Sequence, residues 1–235
     1  RLMLSAAEEA AFVREYALSE RLARCAYEAG GGVDAGLAVG RALFHLGRLD
    51  DALLFCAELG PAATNDAERA QVAVQRAAML VHGADDVPAA LAAVAAVDVT
   101  DPGWREQLDA VRLYLRACQL DCSVVEAALV LFRTARSVDL RLAAAGAASC
   151  GLLAAGRFAE AELLLADVVP APRRHTGPNL VQSDGFEAAV ASRLIDLPDV
   201  PGSLAAAEAT YRASLRPPDR VAQALAAFFL SKIAL

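Results

Sequence analysis

The chain has 235 residues, 57% hydrophobic but only 6% aromatic and 22% charged, with a formal net charge of −7 and a pI near 5.0. A chain this long buries roughly 70–75% of its unfolded surface, so no disulfide or metal has to be invoked to hold a core. The acidic balance argues against the basic footprint of a nucleic-acid-binding domain. Charges such as Asp85, Asp86 and Asp98 cut the apolar runs short of the roughly 18 residues of a membrane span.

Alanine supplies 56 of the residues, and it is the best helix former because it loses no side-chain entropy on folding. The first expected element is one long helix over about 6–29, closed by Gly30-Gly31-Gly32. Residues 1–33 therefore read as an N-terminal helix or partial repeat, and 34–235 as a repeat array. Within the array, first helices are expected near 35–46, 66–82, 103–119, 138–155, 184–196 and 218–235. Second helices fall near 49–59, 87–97, 123–136, 158–168 and 200–214, with one long loop at 170–179 and no strand of consequence.

The repeat itself is visible in the text of the chain. Residues 47–56 read Gly-Arg-Leu-Asp-Asp-Ala-Leu-Leu-Phe-Cys and 156–165 read Gly-Arg-Phe-Ala-Glu-Ala-Glu-Leu-Leu-Leu. Looser copies run through Asp86-Val87-Pro88, Val124-Val125-Glu126 and Asp199-Val200-Pro201. With Ala52, Ala90, Ala128, Ala161 and Ser203 as equivalent positions, the period is about 38 residues, the length of a helix-turn-helix unit. A side chain this small marks the place where two helices of a hairpin cross closely. Gly47 and Gly156 follow apolar runs, where a left-handed C-cap suits glycine. Asp101-Pro102 supplies an N-cap and a proline at the first helical position.

No catalytic, cofactor or metal constellation assembles. The only lysine is Lys232, so a Gly-x-x-x-x-Gly-Lys-Ser/Thr phosphate loop does not exist in this chain. Cys118 and Cys122 lack the partners of a four-ligand zinc site, and His45 and His82 read as rings at the carbonyl ends of their helices. Ser149 and Cys150 sit in an apolar helix without a base or a nucleophile elbow. Paired acids such as Glu8-Glu9, Asp50-Asp51 and Asp85-Asp86 read as caps and exposed faces. The five scattered cysteines read as reduced core residues of a cytoplasmic protein. Arg1 at the start and the apolar run at 226–230 near the end suggest a segment of a longer polypeptide.

Gly40, Leu43, Gly47, Leu49 and Ala52, repeated by Ser149, Gly156, Phe158 and Ala161, fall at the spacing of a tetratricopeptide repeat, which the chain resembles over 34–235. The resemblance implies an all-α fold, a right-handed superhelical solenoid of helix-turn-helix units. In its alanine- and arginine-rich texture, as in Leu152-Leu153-Ala154-Ala155-Gly156-Arg157-Phe158, the chain is similar to the helical-repeat region of large LuxR-type, ATP-binding regulators of actinobacteria. That likeness implies a non-catalytic sensor or interaction segment, coupled to an ATPase module and a DNA-binding helix-turn-helix domain that this chain does not contain.

First helices of such an array line a concave face. The register puts Leu37, Arg41, Phe44, His45, Leu80, Val111, Leu115, Phe186 and Arg193 on it, a largely apolar groove edged by arginine. Expected occupants are neighbouring domains of the parent polypeptide, a protein partner or a small apolar inducer. Direct nucleic-acid and membrane contacts are not expected, and a homodimer is left open. The alternative reading is a freestanding protein-binding or oligomerisation scaffold.

Overall fold

The computed structural model describes residues 1–168 and, beyond them, residues 204, 205, 208, 209, 211, 212, 214, 215, 219, 220, 223, 224, 226, 227 and 230. The fold is all-α. Among the described residues ten α-helices follow one another and no strand forms: α1 (Leu2–Phe12), α2 (Tyr16–Glu28), α3 (Gly32–His45), α4 (Leu49–Leu59), α5 (Asp66–Gly83), α6 (Val87–Ala95), α7 (Pro102–Cys118), α8 (Val125–Thr134), α9 (Val138–Ala154) and α10 (Phe158–Val168). Expected helices near 184–196, 200–214 and 218–235, and the loop at 170–179, fall wholly or largely outside the described residues. The chain divides into two compact units, Arg1–Thr100 with Arg212–Ala224, and Asp101–Tyr211 with Leu225–Leu235.

The first unit grows from pairs of helices folded back on each other. Helix α1 packs on α2, α2 on α3, α3 on α4 and α5 on α6. One cluster, built from Ala7, Ala23, Val39, Leu43, Cys56 and Met79, draws on α1 through α5, so these helices share a core. In the second unit α7 and α8 both lie against α9, and α10 packs on α9 as well.

The turn inside each pair has a common chemistry. Gly47 has φ +77° and Gly156 φ +72°, and each closes its helix with two backbone bonds. The Gly47 amide donates to the Phe44 carbonyl at 2.9 Å and the Arg48 amide to Leu43 at 3.0 Å; Gly156 to Leu153 and Arg157 to Leu152 repeat the pattern at 3.0 and 2.8 Å. This is a Schellman cap, which satisfies carbonyls the helix leaves over. The same pair of bonds recurs at Arg14 (φ +63°) and Leu120 (φ +62°), while Asp85 (φ +53°) takes the left-handed position between α5 and α6. The single helix expected over 6–29 is therefore two helices, α1 and α2, broken at Arg14.

Five positions beyond each of Arg14, Gly47, Asp85 and Gly156 stands a small side chain with almost no exposure: Ser19 at 1%, and Ala52, Ala90 and Ala161 at 0%. Ala128, also at 0%, lies eight positions beyond Leu120 because a 3-10 turn, Cys122–Val124, is inserted before α8. The small-residue register thus holds at Ala52, Ala90, Ala128 and Ala161 and extends back to Ser19, whereas Ser203 lies outside the described residues. Residues 1–33 contribute a full helix pair. The inserted turn also explains why α8 begins at Val125 rather than near 123, and α7 packs chiefly against α9.

Caps fix the remaining boundaries. Asp101 accepts a bond from the Trp104 amide at 3.0 Å with Pro102 at the first helical position, and Asp86 does the same for Ala89 at 2.9 Å ahead of Pro88. Asn65 caps Glu68, whose carboxylate reaches back to the Thr64 amide, a reciprocal arrangement that fixes the start of α5. Among the described residues no helix is long and apolar enough to cross a membrane.

Leu120 holds its left-handed position (φ +62°) at a cost of about 1–2 kcal/mol, since a side chain there crowds the following carbonyl. Its side chain is 73% exposed, so little packing offsets that cost. Leu120→Gly is expected to stabilise the second unit by about 1 kcal/mol, less the extra unfolded-state entropy of glycine. The urea midpoint should rise at constant slope; an unchanged or lower midpoint would contradict the strain.

Candidate functional site

The sequence places Leu37, Arg41, Phe44 and His45 on one side of α3, and the structure divides their roles. Leu37 is buried with Val33, Leu59 and Val72, and its carbonyl accepts from Gln75 Nε2 at 2.9 Å. It is therefore a core residue rather than an exposed groove wall. Phe44 is half-buried against the main cluster, and Leu80 on α5 is half-buried. Val111 and Leu115 on α7 have 0% exposure and serve packing in the second unit, not an open surface. Phe186 and Arg193 lie outside the described residues.

Arg41 and His45 remain, one helical turn apart, and a group of polar side chains surrounds them. Tyr16, the first residue of α2, stacks flat on the His45 ring with centroids 4.3 Å apart and 6° between planes. Phe44 meets the same ring edge-on. Opposite them stands Asp219, 1% exposed. The Tyr16 hydroxyl donates to Asp219 Oδ2 at 3.3 Å, and His45 Nδ1 lies 3.2 Å from Oδ1. With Asp219 ionised the carboxylate only accepts, and the pairing is then a hydrogen bond in which Nδ1–H donates. Each oxygen of a deeply buried carboxylate thus has a named donor, the condition under which burying it is tolerable.

Local backbone supports the arrangement. His45 is the last residue of α3, where Gly47 turns the chain in its left-handed cap. Arg220 packs against Gly47, with its Cβ 3.4 Å from where a glycine Cβ would stand. The Asp219 amide donates to the Ser214 carbonyl at 2.9 Å, and Gln223 returns a side-chain bond to the same carbonyl.

Arg41 brings the positive charge. Burial pulls its guanidinium below its usual range, and Glu8 and Tyr16 oppose that pull. Burial likewise pushes the Glu8 carboxyl up, Arg41 lowers it, and Asp34 and Glu9 raise it further. Glu8 lies inside α1 rather than at a helix start, so its pairing with Glu9 is not a cap. His45 stands at the carbonyl end of α3, as expected, and in addition contacts Tyr16 and Asp219. His82 is half-buried on α5.

Sequence reasoning missed Tyr16, Glu8 and Asp219. Tyr16 was hidden because the break at Arg14 carries no glycine, and Asp219 because it stands 174 residues from His45. Among the described residues no group of three or more His, Cys, Asp or Glu side chains could hold a metal ion. Ser149 is buried, with its hydroxyl bonded to the Gly146 carbonyl at 3.0 Å.

The cysteines depart from the expectation of five core residues. Cys25 and Cys122 are exposed, Cys118 and Cys150 are half-buried, and only Cys56 is buried; none is in a disulfide. Cys118 ends α7 while Cys122 opens the 3-10 turn, so the two do not share a helix. Burial pushes the Cys56 thiol up to about 11, against the opposing pulls of Gln75 and Arg76. Under native conditions at pH 8, an aromatic disulfide reagent is expected to label Cys25 and Cys122 fast and Cys56 only on unfolding. Rapid labelling of Cys56 in the folded chain would refute its placement.

No protein-family model, no curated protein and no solved structure matches the chain.

Proposed function

We propose that this chain is a non-catalytic interaction module, a tetratricopeptide-like array wound as a right-handed superhelix. The observation that carries the reading is the recurrence of one hairpin, in which a left-handed residue ends a helix and a small buried residue follows five positions on. The first helices of its pairs begin at 2, 32, 66, 102 and 138, a spacing that brackets the roughly 34 residues of such repeats. Repeats of this kind stack into extended surfaces whose use is to bind.

The setting we favour is the sensor and coupling segment of a LuxR-type transcription regulator in the cytoplasm, joined to an ATPase and a helix-turn-helix domain. Its alanine- and arginine-rich wording supports that setting, and five cysteines without a disulfide among them suit a reducing compartment. Partners on this reading are the neighbouring domains, a protein or a small apolar inducer. Sequencing the coding region on both sides tests it. A phosphate-loop motif upstream and a helix-turn-helix downstream would establish the regulator; neither would leave a freestanding scaffold.

A further inference from the structure

Two helices of the first unit present a hydrogen-bonding floor whose occupant comes from far along the chain. Tyr16 and His45 supply one donor to each oxygen of Asp219, and their rings stack so that both donors are held in place. The segment that carries Asp219 joins the first unit, while residues before and after it, up to Tyr211 and from Leu225, belong to the second. We infer that Tyr16 and His45 form a carboxylate-binding site on the α2–α3 face, which the chain fills in cis with Asp219. A carboxylate-bearing peptide would gain this site only by displacing the segment around residue 219.

The chemistry favours a carboxylate over other occupants. A phenol and an imidazole N–H both donate, and two donors at a separation set by stacked rings match the two oxygens of one carboxyl group. A neutral amide in the same place offers one acceptor oxygen and an NH2 group that would face a donor. Burial raises the stakes, because an unfilled pair of donors in a dry site loses its hydrogen bonds without water to replace them. The trans ligand rests on the reading of the chain as an interaction module, whereas the cis site rests on geometry alone.

Chemical rescue tests it in the full chain. Asp219→Ala is expected to melt several degrees below the native chain in sodium chloride, and sodium acetate at roughly 100 mM and equal ionic strength should restore part of that loss. Acetamide should restore none, and the native chain should not respond. Equal melting of Asp219→Ala in acetate and chloride would overturn the site. If the variant does not fold in chloride, return of the helical circular-dichroism signal in acetate becomes the readout, and no return is the overturning result. A labelled peptide of sequence 212–224 should bind Asp219→Ala several-fold more tightly than its Asp219→Asn counterpart. Acetate rescue without peptide discrimination would overturn displacement by a peptide and leave the cis site, and neither result bears on the gene-level test of the regulator reading.

Discussion

Leu115→Ala is expected to cost the second unit about 2–5 kcal/mol, the range for emptying a fully buried leucine position. Leu115 has 0% exposure on α7, and its neighbours Val111 and Leu108, at 0% and 1%, line the same packed side of the helix. Truncation removes three carbons from a site without water to refill it, so both the transfer energy and the cavity count against the folded state. Trp104, the only tryptophan, is half-buried on the same helix and reports unfolding of this unit by fluorescence. The control is Leu163→Ala on α10, 73% exposed, which should change stability by no more than about 0.5 kcal/mol. If Leu115 lined an open groove, the two variants would behave alike, and that outcome would contradict the placement of α7 in the core.

The contrast between groove and core shows where sequence reading stops. On α3, Val33, Ala35, Leu37, Ala38, Val39, Ala42 and Leu43 are all buried, so apolar residues point to several sides of one helix. Apolar spacing then identifies a helix without saying which stripe meets solvent. Leu37, Val111 and Leu115 look like groove residues in sequence and are core residues in the fold for this reason. What was legible came from chemistry that leaves a mark on residue type. Gly47 and Gly156 are glycine because a left-handed cap suits no other residue so well, and Asp101-Pro102 marks the start of α7.

Where the backbone does the same thing with an ordinary residue, the mark disappears. Arg14, Asp85 and Leu120 occupy left-handed caps, and the break between α1 and α2 was invisible for that reason. Asp219 was out of reach on other grounds. Local periodicity carries no record of a partner 174 residues away, and the sequence places Asp219 only within the helix expected near 218–235.

The small-residue register, by contrast, was legible, and it makes the second large prediction. Ala128→Leu should destabilise the second unit by about 1–3 kcal/mol, because it forces side-chain volume between helices already in contact. Ala128 has 0% exposure on α8, and the neighbouring approach to α9 is tight. A Cβ added at Gly151 would stand 2.6 Å from Val125 Cγ2. The first unit shows the same closeness: a Cβ at Gly36 would lie 2.4 Å from the fully buried Leu59 side chain, and Ala52 on α4 has 0% exposure. Ala52→Leu is therefore expected to fall in the same range. The discriminating controls sit one position before Ala128 and five after Ala52, at Ala127 and Ala57, both exposed on the same helices. Leucine and alanine differ little in helix propensity, so Ala127→Leu and Ala57→Leu should leave the melting temperature nearly unchanged. A loss at Ala128 and Ala52 with none at Ala127 and Ala57 can arise only from packing at the repeated position. Equal effects at all four would mean that the recurrence of alanine reflects composition, and the equivalence of the hairpins would lose its main physical support.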